Sequence, residues 1–407
     1  MRWLWPTQRG WILCAGAVYL FVTATMYNSF VVCAFASSAL ALTLASLACA
    51  LVSLRGLVVQ RGPAGEAAAG QLLSMPLIVS NRLKRRRQTF IIRERCAFAA
   101  APAHFTLVDA LGAREERVVN RRILTQRRGG FEQRRVILRG GDPAGLFYRE
   151  RAIDLPQSIL ITPAVESLPD FPWKPKPTLV ATAGSALSVA GTSQEVYSIR
   201  EHHAADGLRN IHWKSSAKFG RLMVREFERD AVMSIALLVD AEAAGVSGPG
   251  PESNLEYQVR AAASIITHVA DLYCQVAFAA GGARRRLIPP APASQIKANV
   301  LYELALLEPG PVPLAEAALD LAEKLPRDGV VICLSLAVTP ALENTLRLLA
   351  LQGMTVRWFC ADKSAFQAAD RRQAAAPAPV PRLRQGMFEI FHLRPGTSLT
   401  GALCHGA

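Results

Sequence analysis

The chain has 407 residues, of which 51% are hydrophobic, with a mean hydropathy of +0.20 and a formal net charge of +14. Such a length allows two or three domains of ordinary size, and so apolar a composition argues against a wholly water-soluble chain, placing part of it in lipid. The basic balance suits contact with phosphates, on nucleic acid or on anionic lipid heads. Of 8 cysteines, Cys14, Cys33 and Cys49 lie in the apolar N-terminus, and Cys96, Cys274, Cys333, Cys360 and Cys404 are scattered. Without a C-x-x-C pair they suggest neither a zinc site nor a redox motif. They read as small buried apolar residues in a reducing compartment.

In chain order, the first feature is an uncharged stretch between Arg9 and Arg55. Its apolar runs, 11–27 and about 30–54, are broken only by Asn28 and Ser29. Each is close to the ~20 residues that cross a bilayer at ~1.5 Å per residue. Two such helices form a hairpin whose ends emerge on one side. Arg2 and Arg9 flank one end, and Arg55 and Arg61 the other, so that side is expected to be the cytoplasm. A cleaved signal peptide ending at Ala39-Leu40-Ala41 is the rival reading, but signal h-regions span only ~7–15 residues. A re-entrant loop would leave unpaired backbone in lipid.

From 71 to 163 the apolar runs are short and punctuated, as in Leu77-Ile78-Val79, Phe90-Ile91-Ile92 and Val136-Ile137-Leu138. That spacing predicts a β-sandwich. The segment carries Arg82, Lys84, Arg85, Arg86 and Arg87, then Arg121, Arg122, Arg127, Arg128, Arg134 and Arg135, which read as a solvated face close to an anionic membrane. Nucleic-acid contact is disfavoured, because no aromatic interleaving or binding motif accompanies the charges. Pro-rich chain at 163–193 reads as a linker. After Met233, strands (233–239, 275–279, 330–334, 355–359) alternate with helical patterns (from Leu255 to Tyr273, then 297–307, 314–325 and 340–351). This pattern predicts an α/β doubly wound parallel sheet. An Ala/Pro-rich piece at 367–381 reads as a loose linker, and 388–392 as a last strand.

The most informative stretch is YSIREHHAADGLRNIHWKSSAKFGRLMVREFE, 197–228. Asp206 is a plausible N-cap for a helix of about three turns ending at Phe219, with Gly220 at C′. Arg209, Trp213 and Ser216 then share one face, with His212 and Lys214 beside it. Residues 222–224 read as a strand.

This stretch resembles the hallmark of the bacterial domain-of-unknown-function family 58. The matching positions are Arg200, Asp206, Arg209, Ile211, Trp213, Ser216, Ala217, Lys218, Gly220, Leu222, Val224, Arg225, Glu226, Phe227 and Glu228. The sequence GDPAGLF at 141–147 is similar to a second family motif that closes its β-domain. Ala205, His202 and Lys218 stand where the family prefers Gly, Tyr and Arg. The resemblance implies an N-terminal membrane hairpin and a C-terminal region resembling a von Willebrand factor type A domain. In such domains D-x-S-x-S at the end of the first strand often holds a divalent metal. Here that position reads Asp240-Ala241-Glu242-Ala243-Ala244, a degenerate site without its hydroxyl ligands, so no metal and no cofactor is expected. Asp240 reads instead as a turn or capping residue.

Two functional readings follow. In the first, Arg200, Asp206, Arg209, His212, Trp213, Arg225 and Glu226 are structural or partner-binding, with Trp213 buried at the joint between two domains and Arg200 or Arg209 paired to a carboxylate such as Glu226 or Glu228. In the second, His202, His203, Asp206 and His212 serve a hydrolase or nuclease. No Walker A, G-x-G-x-x-G, G-x-S-x-G or H-E-x-x-H pattern occurs, which argues against the corresponding enzyme classes. The favoured expectation is a non-enzymatic, membrane-anchored scaffold or assembly factor of envelope complexes in the bacterial inner membrane, multi-pass, with a cytoplasmic body. The resemblance implies a MoxR-type AAA+ ATPase and a transglutaminase-like membrane protein as partners, and an anionic lipid surface is a further candidate. The expected divisions are a hairpin at 1–60, a β-sandwich at 61–165, a linker and hallmark at 166–230, a type A-like domain at 231–366 and a C-terminal segment at 367–407.

Overall fold

A computed structural model of the chain describes residues 2–169, 196–202, 211–227, 233–272, 274–325, 329–369, 382–385, 388–395 and 399–404. It begins with a strand, β1 (Arg2–Pro6), and two helices long and apolar enough to cross a membrane, α1 (Gln8–Tyr27) and α2 (Phe30–Ser53). Asn28 closes α1 in the left-handed region at φ 46°, as a short polar C-cap can. The buried positions of the two packed helices are all small, Ala17 and Ala24 on α1 and Ala36, Thr43, Ser46 and Ala50 on α2, while Gly10 is covered by the turn at Leu146. Small side chains let two backbones approach closely where no water drives association. The outer faces carry exposed Val18, Phe21, Met26, Phe30, Val31 and Phe35. Ala39-Leu40-Ala41 lies inside the continuous helix α2.

The sheet-rich region follows with β2 (Leu57–Arg61), β3 (Ala67–Ala68), β4 (Leu72–Ser74), β5 (Leu77–Asn81), β6 (Phe90–Arg95), β7 (Ala103–Val108), β8 (Glu116–Val119), β9 (Arg122–Leu124), β10 (Gly129–Gly141) and β11 (Phe147–Thr162). One sheet runs β1-β11-β10-β6-β7 with β3 beside β11, a second runs β2-β5-β8, and β4 pairs with β9. Leu57, Val59, Leu77 and Val79 of the second sheet share one core with Phe90, Ile92, Val108, Val136 and Leu138 of the first. That is the alternation the short apolar runs imply, one face of each strand inward.

The same inward alternation of β6 carries Glu94 into the core beside Phe90 and Ile92. Its carboxylate is fully enclosed and pairs with Arg61 on one oxygen and Arg121 on the other. Arg61 also donates to the Leu155 carbonyl (2.7 Å) and Arg121 to that of Met75 (3.2 Å). Arg121 is therefore not part of a solvated basic face, and neither is Arg128, whose side chain is 5% exposed. The other basic residues of the group, such as Arg82, Lys84, Arg85, Arg86, Arg122 and Arg134, are exposed as expected.

Between the two large regions lies a short ribbon, β12 (Val196–Glu201) antiparallel to β13 (Met223–Phe227), with the helix α3 (Trp213–Phe219) between them. The α/β region comprises β14 (Met233–Val239), α4 (Asn254–Ala270), β15 (Cys274–Ala280), β16 (Arg286–Pro292), α5 (Ala293–Ala305), α6 (Leu314–Ala322), β17 (Val330–Ser335), α7 (Pro340–Leu351), β18 (Thr355–Cys360), α8 (Lys363–Ala369), β19 (Arg382–Gln385), β20 (Phe388–His392) and α9 (Leu399–Cys404). Its sheet runs β16-β15-β14-β17-β18-β20-β19, parallel from β15 to β20 with antiparallel edges. Helices cover both faces, giving two cores. The sheet is thus mostly parallel, as the alternation of strands and helices implies, with antiparallel strands β16 and β19 added at its edges. The edge strand β16 contains Pro289 and Pro290, which a strand tolerates only where its N–H groups are not all needed. The start of the expected linker is part of this fold: Leu168 is buried in the α4 core, and the Glu166 amide donates to Ser264 Oγ (2.8 Å). The expected linkers at 170–193 and 370–381 fall outside the described residues.

Removing Glu94 would leave two buried guanidinium groups unpaired. Losing one partner of a buried ion pair costs about 3–5 kcal/mol, so Glu94→Ala in the full chain is expected to lower the melting temperature by at least several degrees. A change within error in calorimetry would contradict the assigned network.

Candidate functional site

Two places concentrate the residues singled out by the sequence. The first is the rim formed by the C-terminal strand ends of the α/β sheet. Chain direction across the sheet reverses between β14 and β17: β15 lies on one side of β14, and the next parallel strand lies on the other. A crevice at such a switch point is where open α/β sheets bind ligands. Asp240 directly follows β14 there and is 5% exposed. Its Oδ1 accepts from the Glu242 amide (3.0 Å) and its Oδ2 from the Leu336 amide (3.1 Å). Asp240 therefore makes the turn after β14 and ties it to the end of β17. Burial pushes its carboxyl up, and the amides of Glu242, Leu336 and Ala241 partly offset this. Asn254 ties the same rim from the other side, donating to the carbonyls of Gly245 (2.8 Å) and Ala361 (3.0 Å) and accepting from Ser247 (2.8 Å). Beneath, Trp358 Nε1 donates to Ser335 Oγ (2.8 Å). Among the described residues no group of three or more His, Cys, Asp or Glu side chains is placed to hold a metal ion.

Beside the rim is an open cleft of about 420 Å³ between the sheet-rich and α/β regions. Arg128, at the start of β10, crosses it. The guanidinium donates to the carbonyls of Leu304 (3.0 Å) and Leu307 (2.8 Å) at the end of α5 and pairs with Glu256 in the first turn of α4. A cation at a helix C-terminus and a carboxylate near a helix N-terminus both suit the helix dipoles. Burial pulls the Arg128 guanidinium below its ordinary range, and Glu256 opposes the shift. No feature of the sequence separates Arg128 from Arg127, which stays exposed. Only the strand register decides which of the two turns inward.

The second place is the ribbon β12–β13. Its ladder sets Arg200 opposite Val224, Ile199 opposite Arg225 and Ser198 opposite Glu226. His202 and His212 both meet the start of β13, donating their amides to the carbonyls of Leu222 (2.9 Å) and Met223 (2.8 Å). Ile211 bridges Val224, so the chain is extended there and α3 begins only at Trp213. The expected three-turn helix from Asp206 is thus shortened at its N-terminal end. Gly220 caps it at φ 66°, as expected. Ser216 is the internal tie: its Oγ accepts from the Met223 amide (2.9 Å) and donates to the His212 carbonyl (3.1 Å). His212 Nδ1 lies 2.7 Å from Ser215 Oγ, a local contact across the first turn. Arg221 pairs with Glu201 at the surface (3.0 Å). Trp213 is not buried in a domain joint. It is 68% exposed, with Phe219 at 56% and Leu222 at 44%. Helical spacing could not reveal this, because it gives the face that Trp213 shares with Ser216 but not what, if anything, stands opposite Trp213. His203, Asp206, Arg209 and Glu228 fall outside the described residues, as do the side chains of Arg200, Arg225 and Glu226.

These features define a membrane-associated protein with a sheet-rich region, a mixed α/β region and a hallmark ribbon between them. Residues 198–363, which span the ribbon and most of the α/β sheet, match the model of the family described as "Protein of unknown function DUF58". Among solved structures, an aerotolerance-related membrane protein from Bacteroides fragilis is similar over 43% of this chain and 87% of its own length, at 11% identity and a TM-score of 0.26. A β-glucosidase from Listeria innocua is similar over 26% of this chain and 16% of its own length, at 16% identity and a TM-score of 0.17. No curated protein matches.

Removing the Asp240 carboxylate strands two amides at the rim, and each unsatisfied buried group costs about 1–3 kcal/mol. Asp240→Ala is therefore expected to lower the melting temperature of the full chain, whereas millimolar Mg²⁺ leaves that of the parent unchanged. A Mg²⁺-dependent rise lost in the variant would show a bound ion instead. The thiols give a second test. Burial pushes Cys96 up to about 12 and Cys274 and Cys360 up to about 11, with Cys333 also raised by burial. A thiol protonated in the folded state and ionised in the unfolded state stabilises below the unfolded pKa, and this contribution is lost as pH rises from ~9 toward the folded values. Iodoacetamide at pH 8 is expected to leave all four unlabelled in the native chain and to label them after denaturation, read by mass spectrometry.

Proposed function

We propose that the protein is a non-enzymatic scaffold, held in the bacterial inner membrane by its helical hairpin, with a cytoplasmic body that presents the β12–β13 ribbon to a protein partner. The observation that carries this reading is the exposed group Trp213, Phe219 and Leu222 on α3 and the turn after it, flanked by the exposed cations Lys214, Lys218 and Arg221. An exposed Trp is the kind of anchor that dominates protein interfaces. The cations around it favour an acidic surface on the partner. The occupied carboxylate of Asp240 supports a binding role for the rim over a metal-dependent one. The strand order, with five parallel strands between antiparallel edges and the crossover at β14 and β17, supports the type A-like reading of the α/β region. A MoxR-type AAA+ ATPase is the partner that the family resemblance suggests, with a transglutaminase-like membrane protein in the same assembly. Basic residues at both ends of the hairpin support the cytoplasmic side for the body.

Trp213→Ala separates this reading from a structural role. Truncating a surface side chain changes stability by only about 0.5 kcal/mol. The full-length variant is expected to melt with the parent while losing most of its affinity for the purified MoxR-type ATPase of the same organism, and His202→Ala is expected to retain that affinity. Equal binding by the Trp213 variant and the parent, or a marked loss of stability in that variant, would contradict the proposal.

A further inference from the structure

Neither the scaffold reading nor the hallmark ribbon uses the loop between β5 and β6. It reads Asn81-Arg82-Leu83-Lys84-Arg85-Arg86-Arg87-Gln88. Arg82, Lys84, Arg85 and Arg86 are exposed. Such a run of like charges usually belongs to a mobile surface segment, yet here the backbone is fixed. Asn81, 1% exposed, donates from one amide to the carbonyls of Arg85 (2.9 Å) and Gly112 (2.7 Å) and accepts from the Leu83 amide (3.1 Å). The Arg82 amide donates to the Gly56 carbonyl (2.9 Å), and Arg114 N–H donates to that of Leu83 (3.1 Å).

The place where this loop is held is specific. Arg87 donates to the Val52 carbonyl (2.8 Å), in the last turn of α2. Arg149 donates to the Leu51 carbonyl beside it. The loop is thus fastened to the end of the helix, with exposed Arg55 following directly. Burial and the neighbouring charges of Arg55 and Arg85 pull the Arg87 guanidinium down, as expected of cations crowded together. The carboxylate facing the group is Glu115, already bound to Arg117 and to the Gly112 amide. Among the described residues no ion pair reaches Arg55, Arg82, Lys84 or Arg85. Leu83, 38% exposed, stands in the middle of the charges. A preformed cationic loop with one apolar side chain, at the level where a spanning helix leaves the bilayer, matches a surface of anionic headgroups above acyl chains.

The geometry points to a binding site for anionic phospholipid headgroups, formed by Arg55, Arg82, Lys84, Arg85 and Arg86 at the membrane end of α2. It rests on the reading that the hairpin crosses a bilayer. Arg87 and Asn81 position the loop, and the exposed cations contact the phosphodiester.

The test uses the full-length chain in detergent, with phosphatidylglycerol or phosphatidylcholine of the same acyl length added and bound lipid counted by native mass spectrometry. The parent is expected to retain phosphatidylglycerol roughly tenfold more strongly than phosphatidylcholine, since several basic residues act together near the headgroup. The variant R82A/K84A/R85A/R86A is expected to lose most of that preference while melting with the parent. The charge-conserving variant R82K/R85K/R86K is expected to keep it. Absence of the preference in the parent, or its persistence in the alanine variant, overturns the proposal. So does displacement of phosphatidylglycerol by an equal concentration of glycerol 3-phosphate, which would mark a site for free phosphate compounds. Extraction of the membrane fraction with alkaline carbonate separates the two levels. A parent chain that stays in the pellet without lipid preference refutes the headgroup site alone, whereas a parent chain released to the supernatant refutes the spanning hairpin and the site with it.

Discussion

The hairpin is joined to the sheet-rich region without slack, and the rest of the architecture depends on that join. Thr7 is the single residue between β1 and α1, and only three residues separate α2 from β2. β1 pairs along β11, from Arg2 opposite Arg151 to Pro6 opposite Phe147. The turn between β10 and β11 is built for the contact. Asp142 accepts from the amides of Ala144 (3.0 Å) and Phe147 (2.7 Å), and this shape offers the carbonyls of Gly145 and Leu146 to Thr7 (both 2.8 Å). Gly10 lies so close to the turn that a Cβ there would meet the Leu146 oxygen at 2.2 Å. Helix ends leave carbonyl groups without partners, and lipid cannot supply them. Arg87 and Arg149 do so at α2. The GDPAGLF motif is thus a clasp for α1.

From this fixed base the contacts pass outward. Arg128 leaves β10 and docks on the ends of α5 and α4, so the sheet-rich region meets the α/β sheet beside the rim formed by its C-terminal strand ends. Asp240 and Asn254 spend their polar groups on holding the rim loops. The ribbon that carries Trp213 is the segment left free to present side chains outward.

Much of this was legible in the sequence because period and punctuation are strong signals. The hairpin with its Asn28-Ser29 turn, the alternation after Met233, the helix 340–351 and the strand 388–392 appear where the apolar pattern places them. The Gly220 cap follows from the need for a left-handed residue. Other features were not legible for physical reasons. The pairing of Glu94 with Arg61 and Arg121 depends on residues 33 and 27 positions away coming together, which charge counting cannot see. β16 hides behind its prolines, and β1 has no signal of its own until β11 offers an edge. The exposure of Trp213 depends on what stands opposite α3, so residue type alone suggested burial.

The join between hairpin and sheet is tested most directly by hydrogen exchange on the full chain in lipid nanodiscs, read at the peptides covering β1 and its partner β11. A ladder of backbone hydrogen bonds opens only by local unfolding, so its amides exchange far more slowly than those of a free terminus. The β1 amides are expected to be protected together with those of residues 147–151. Exchange of β1 at the rate of an unstructured tail, with β11 still protected, would contradict it, because the anchor would then hang from the body by a loose end.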